Sequence, residues 1–334
     1  MHGRAVLGSA AVHAIGIDIG GTKIAGGLVD ELGGISRFER VPTDASDSVA
    51  IEHAIVAMIE DLAGGERLPV GVAAPGFIDA SQSTVYYTPN IPWRNHPLRE
   101  RLEERLHLPV VVDNDANAAG WAEFRFGAGR LVSDMVMLTS GTGVGGAVIA
   151  GDRLLRGGFG AAGELGHMRI VPNGIPCGCG ARGCIEQYGS GRALQRMAGA
   201  IADAGGIGTA LAAERELAGG VLEGAAIGRL VQEGDPGALA ALSELGSWLG
   251  QACASLGVVL DPQLFVIGGG VADAGDRLLD PVRQAFVDHL PARGFHPEPV
   301  FAVAELGNEA GVVGAADLAR LHEDPDFLAF APRG

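Results

Sequence analysis

Residues 14–29 read Ala-Ile-Gly-Ile-Asp-Ile-Gly-Gly-Thr-Lys-Ile-Ala-Gly-Gly-Leu-Val. An apolar run broken by Asp18 ends in Gly20-Gly21-Thr22-Lys23, and Gly26 to Val29 resumes an apolar strand. No helical pattern follows the glycines. The stretch therefore predicts a β-hairpin, not a strand feeding a helix. It is not a Walker loop, which needs a longer glycine spacing and a helix behind it. Gly20 and Gly21 let backbone N–H groups approach a phosphate, and Thr22 and Lys23 add side-chain donors. Asp18, at a strand end, is placed to orient a magnesium ion through water. An ordinary hairpin turn is the alternative.

The device recurs. Asp134 to Thr139 and Val144 to Ile149 predict two strands joined by Ser140-Gly141-Thr142-Gly143. The segment contains G-x-G-x-x-G, but a strand continues after the glycines where a dinucleotide fingerprint requires a helix. Gly141, Thr142 and Gly143 then form a second phosphate hairpin, and the repetition hints at duplicated halves. Gly268-Gly269-Gly270 follows a buried strand and precedes a helix. Backbone that bare can lie against a nucleoside, and a plain turn fits equally well. Helices are expected over 47–63, Leu98–Leu106, 192–260 and Asp280–Leu290. A last one is expected from Glu309, capped by Asn308, with Gly311, Gly314 and Ala315 on one close-packing face.

Val111 to Asn117 reads Val-Val-Asp-Asn-Asp-Ala-Asn, a strand end where a helix begins. One acid there can simply cap the helix. Equally, Asp115 can accept a proton from a sugar hydroxyl while Asn114 fixes neighbouring hydroxyls. Cys177, Cys179 and Cys184, with His167 of Gly-Glu-Leu-Gly-His, form a Cys₃His set. That set closes a tetrahedral zinc shell with no open position, as a structural site requires. Glu164 and Glu186 flank the ligands and are placed to hydrogen-bond something else. Cys253 sits in an apolar helical stretch and reads as core.

With 334 residues and a hydrophobic fraction of 47%, the chain can bury the cores of two ordinary domains. Its formal net charge of −16 disfavours nucleic acid and anionic membranes. Lys23 is the only lysine. No apolar run reaches the ~20 residues that span a bilayer. Residues 1–13 read as a loose N-terminal extension and a poor signal peptide. Crowded cysteines that read as metal ligands fit a reducing, cytoplasmic location.

These motifs resemble the ROK family of bacterial sugar kinases and repressors. The marks are Asp18 to Lys23, Val111 to Asn117, Glu164 to His167 and Cys177 to Glu186, in the family's order and from about Ala14 onward. Ala73 to Asp79, Thr88 to Arg94 and Asn117 to Phe124 resemble its glucose-phosphorylating members. The resemblance implies an α/β, two-lobed, actin-like (ribonuclease H-like) sugar kinase fold with an ATP cleft between lobes. The small lobe would be 14–117 plus 309–334, and the large lobe 118–308 with a zinc loop over 163–187. It implies transfer of the γ-phosphoryl of ATP to the 6-hydroxyl of glucose, with Mg²⁺ and a structural Zn²⁺. Asp115 would be the base. Asn114, Glu164, His167 and Glu186 would hold the sugar, helped by Gly76 and Asn90, with His167 serving both zinc and sugar. A homo-oligomer, dimer or tetramer, is the family's habit. Rival readings are an N-acetylhexosamine kinase, a fructokinase, a polyphosphate-using enzyme and a sugar-responsive repressor. The last would need a helix-turn-helix ahead of Asp18, where only 17 residues stand.

Overall fold

The computed structural model describes residues 13–88 and 91–322. Most of the N-terminal extension, and Asn90, lie outside the described residues. Contacts divide the chain into two units, one of 1–122, 157–161 and 309–334, the other of 123–156 and 162–308. The first unit thus runs on to Ala122, where the sequence reading stopped at 117, and takes a short piece from the middle of the chain. The reason is local: Gly160 lies so close to the backbone of Ile78, Asp79 and Ala80 that an added Cβ would meet it at 2.4–2.5 Å.

In the first unit, β1 (Ala14–Ile19), β2 (Lys23–Val29) and β3 (Ile35–Pro42) form an antiparallel meander. After α1 (Ser48–Ala63), β4 (Val70–Ala74) returns parallel to β1. A small sheet follows, of β5 (Phe77–Ile78), β6 (Val85–Tyr87) and β7 (Arg94–His96). Then α2 (Leu98–Leu106) leads to β8 (Val110–Asn114), parallel to β4, and on to α3 (Asp115–Phe126). The sheet order is β3-β2-β1-β4-β8.

The second unit repeats the plan. β9 (Met135–Ser140), β10 (Val144–Ala150) and β11 (Arg153–Leu154) are an antiparallel meander. Helices α4 (Glu186–Gly189), α5 (Gly191–Ala204), α6 (Thr209–Leu217), α7 (Gly224–Glu233) and α8 (Pro236–Leu260) follow. β12 (Leu264–Gly268) is parallel to β9, and α9 (Asp276–His289) leads to β13 (Val300–Val303), parallel to β12. The order β11-β10-β9-β12-β13 matches the first sheet position for position. The hint of duplicated halves is thereby an architectural fact.

Each sheet has its own core. Ile15, Ile17, Val72 and Val112 pack on Ile55 and Ile59 of α1 in the first. Val136, Phe265 and Ile267 pack with Leu249 and Cys253 of α8 and Val282 and Phe286 of α9 in the second. The helix Ala310–His322, preceded by a 3₁₀ turn at Gly307–Glu309, lies on the first sheet. A Cβ at Gly71 would meet the Ala315 carbonyl oxygen at 1.9 Å, and one at Gly314 the Ala118 oxygen at 1.8 Å. Glycine is what lets these backbones touch. Among the described residues no helix is long and apolar enough to cross a membrane.

Candidate active site

In the first unit the turn between β1 and β2 is closed by Gly20 N–H donating to the Lys23 carbonyl at 2.9 Å. Gly21, Thr22 and Lys23 are exposed, so the donors foreseen for a phosphate do face outward. Asp18 closes β1. Its carboxyl is pushed up to about 7 by burial and then by Asp115, with Lys23 opposing. The backbone of Gly311 packs against it, at a distance that leaves no room for a Cβ.

The β8–α3 junction divides its labour among three side chains. The Asn114 carbonyl accepts the N–H of Asn117 at 3.0 Å, and its amide donates to the Gly76 carbonyl at 2.9 Å. Capping thus falls to Asn114, and the same residue ties down the Gly76 turn. Gly76 has φ +96°, and a Cβ there would meet the Tyr87 carbonyl at 2.2 Å. Asp113 is buried, accepting the Gln82 amide at 3.0 Å, the Asn114 N–H at 2.8 Å and the Asn117 amide at 3.2 Å. Asp115 accepts the N–H of Ala116 at 2.9 Å, and its own N–H and the Asn114 side chain also favour its charged form. Burial pushes its carboxyl up to about 6. A carboxylate released from capping, held near neutrality and beside a second acid, is equipped as a general base.

In the second unit, Glu164 immediately precedes the 3₁₀ turn Leu165–His167, which Gly166 seats against β10. His167 Nδ1 lies 3.8 Å from Cys177 Sγ, and Cys179 Sγ lies 3.7 Å from Cys184 Sγ. All four ligand atoms fall within 4.8 Å of one another. Tetrahedral Zn–S bonds of about 2.3 Å put ligand atoms about 3.8 Å apart, so the spacing fits the metal. The chemistry fits as well. The Cys184 thiol is pushed up to about 12 by burial and then by Cys179 and Cys177. Only a cation makes three crowded thiolates tolerable. Gly183, at φ +79°, threads so close to the Val171 carbonyl that a Cβ would meet its oxygen at 1.7 Å, which explains a glycine inside the loop. Glu186 opens α4 and approaches the Val144 N–H at 3.4 Å and Cys177 Sγ at 3.5 Å.

A cavity of about 640 Å³ opens in the same unit. Gly141, Thr142 and Gly270 line it, as do Gly224, Ala225, Gly228, Val271 and Ala274. The remaining predicted glycines serve packing. Gly268 faces Met137 and Ala304, Gly269 crosses the Ser140 backbone at φ +81°, and Gly143 leaves room for the Glu186 carboxylate. The sequence reading missed the α7 wall and Arg192 entirely. Their only mark is a pair of small residues, Gly224 and Gly228, spaced one helical turn apart.

A ROK family model matches residues 14–322. A curated glucokinase of Streptomyces coelicolor is 46% identical over 318 residues, 93% of this chain and 98% of that one. An N-acetylmannosamine kinase of Escherichia coli K12 is 35% identical over 309 residues, 92% of this chain and 98% of that one. Among solved structures, a ROK family glucokinase of Streptomyces griseus in complex with glucose and AMPPNP has a TM-score of 0.83 and 45% identity. It covers 92% of this chain and 99% of its own. The duplicated sheet plan is that of the two-lobed, actin-like sugar kinases. On its matched motifs, its near full-length relatives and its fold, this chain belongs to the ROK family.

Proposed function

We propose that this chain is a glucokinase, transferring the γ-phosphoryl of ATP to the 6-hydroxyl of glucose and releasing ADP. The observation that carries the chemistry is Asp115. It is half-buried, shifted to about 6, and spared from capping by Asn114. Near full-length likeness to a curated glucokinase and to a glucokinase with glucose and AMPPNP supports the substrates. Phosphoryl transfer asks a protein for positioning and charge neutralisation, and Asp115 adds a proton sink for the attacking hydroxyl.

Asn114, Glu164, His167 and Glu186 hold the sugar in this reading, with Gly76 and Asn90. The nucleotide lies in the cavity bounded by Gly141, Thr142 and Gly270, and Gly20 to Lys23 serve its phosphates. Asp18 is the acid that aligns Mg²⁺. A cation nearby would keep it ionised at neutral pH, against the upward push of burial and Asp115. His167, Cys177, Cys179 and Cys184 would hold Zn²⁺, which supplies a rigid cross-link and no open position for water. Nδ1 of His167 is turned to the thiols, and in this reading its Nε2 serves the sugar. Three reduced thiols and a chain charge of −16 support a cytoplasmic protein without nucleic-acid or membrane partners. A homo-oligomer follows the family's habit.

A second reading, an N-acetylmannosamine kinase, draws on the Escherichia coli relative. Coupled ADP release decides between them. Assayed over glucose, mannose, fructose, N-acetylglucosamine and N-acetylmannosamine, the protein should prefer glucose. Preference for an acetamido sugar would replace the first reading with the second.

A further inference from the structure

Arg192 is the second residue of α5 and lines the large cavity beside Gly141 and Thr142. The Gly191 N–H donates to the Gly141 carbonyl at 2.7 Å, so the loop and this arginine are held in register. Arg192 is exposed, and among the described residues it makes no hydrogen bond or ion pair. The other cation on the cavity wall is committed. Arg229 is held by Glu214 at 2.7 Å and Glu233 at 3.2 Å. Gln232 is likewise taken, by Arg277 at 2.7 Å.

Part of the cavity wall is apolar, made of Gly224, Ala225, Gly228, Val231, Val271 and Ala274, while Arg229, Gln232 and Asp273 add polar groups on the same side. A Cβ at Gly224 or Gly228 would meet nothing within 4 Å, leaving a flat-sided slot. A planar base suits that slot, and an anion suits Arg192, the cation of the wall that is not already paired. In a chain of net charge −16, an anion can only be held by local donors.

We propose that Arg192 binds the phosphate chain of the adenine nucleotide, forming a charge-assisted contact beside Gly141 and Thr142. The proposal rests on the nucleotide reading of this cavity. It adds a residue that no motif marks, and it gives the cavity a direction, base towards α7 and phosphates towards the start of α5. The contact forms with ADP as well as ATP, so it belongs to binding and not to the transition state. Its loss should therefore raise the ATP KM and spare kcat.

Calorimetric titration of wild-type protein, Arg192→Ala and Arg192→Lys with ADP and with adenosine tests this. A charge-assisted hydrogen bond is worth enough that Arg192→Ala should weaken ADP about tenfold. Adenosine affinity should stay as in the wild type, and lysine should recover most of the loss. In steady state the ATP KM should rise about as much as the ADP affinity falls, with the glucose KM unchanged. Equal loss for adenosine and ADP, or no loss for ADP, would overturn the role of Arg192. Absence of ADP binding by the wild type would overturn the nucleotide reading itself, a different result from either.

Discussion

Asp115→Asn keeps the side chain's shape and loses its proton acceptor. General bases contribute roughly 10²–10⁴-fold, so kcat should fall by that factor while glucose affinity stays within about tenfold. Calorimetry with glucose beside steady-state kinetics checks it, and a variant keeping over about a tenth of kcat would free Asp115 of the role. The pH dependence has a definite sign. The reaction needs the carboxylate, so kcat should decline as pH drops through about 6. Stability runs the other way. A carboxyl raised above its ordinary 3.8 stabilises the fold only while protonated, and that contribution vanishes as pH rises through about 6. Asp115→Asn should thus be the more stable protein at pH 8, by on the order of 1–2 kcal/mol, and near parity at pH 4. Urea melts at both pH values measure this; a variant less stable at pH 8 would contradict a desolvated carboxylate. At this scale the sequence was informative where chemistry is local. Asp18, Asp115 and the Cys₃His set stand in short motifs whose residue types have few other uses. The division of labour among Asp113, Asn114 and Asp115 was not readable, because three adjacent polar residues offer the same atoms in any order.

Among the elements, the helix Ala310–His322 owes its seat to glycines on both partners. Gly314→Ala places a Cβ where the Ala118 carbonyl oxygen stands, at 1.8 Å. The helix must then lift from the sheet, and overpacking of this kind costs about 1–3 kcal/mol. Gly199→Ala is the control, since its Cβ in α5 meets nothing within 4 Å. There alanine should stabilise by about 0.4–1 kcal/mol through helix propensity and chain entropy. Opposite shifts in denaturation midpoint are expected; two shifts of one sign would discard the close-packing argument. The Cys₃His loop carries the second prediction. Cys179→Ala removes an exposed member of the proposed zinc set. The variant should lose zinc and most glucose affinity, keep its helical circular dichroism, and still bind ADP at the cavity. Wild-type glucose affinity in folded, metal-free variant would show that the loop does not shape the sugar site. Strands β1, β2, β8, β9, β10 and β12 were legible as apolar runs, most of them beside turn glycines. The small sheet was not, because β5 to β7 have only two or three residues each and carry no period. Glu52 misleads in the same way. On a helix it reads as solvated, yet it is buried and held by Arg101 of α2 at 2.6 Å and His96 of β7 at 3.0 Å.

For the whole molecule, duplication was detectable in the sequence only as two Gly/Thr hairpins. Its full extent lay in strand order, which pairs β1 with β4 and β9 with β12 across long intervals that no local pattern records. The same holds for the cavity proposed to take the nucleotide, assembled from residues between Gly141 and Ala274. Charge is the property that belongs to the molecule as a whole. With 40 acidic and 24 basic residues, the folded chain confines a net −16 in a small volume, and that self-repulsion opposes compaction. Salt shortens its reach, the Debye length falling from about 30 Å at 0.01 M to about 8 Å at 0.15 M. The unfolded chain spreads the same charges further apart and gains less from screening. The melting temperature of the ligand-free protein should therefore rise between these two salt concentrations at pH 7.5. Its surface ion pairs pull in the opposite direction, but exposed pairs such as Arg130–Glu305 are worth only about 0–1 kcal/mol each. Glucose carries no charge, so its affinity should stay level over the same range. Differential scanning fluorimetry with sodium chloride, repeated with glucose present, measures both. A melting temperature that falls with salt would mean that the ion pairs outweigh the net charge, and the picture of a chain strained by its own acidity would fail.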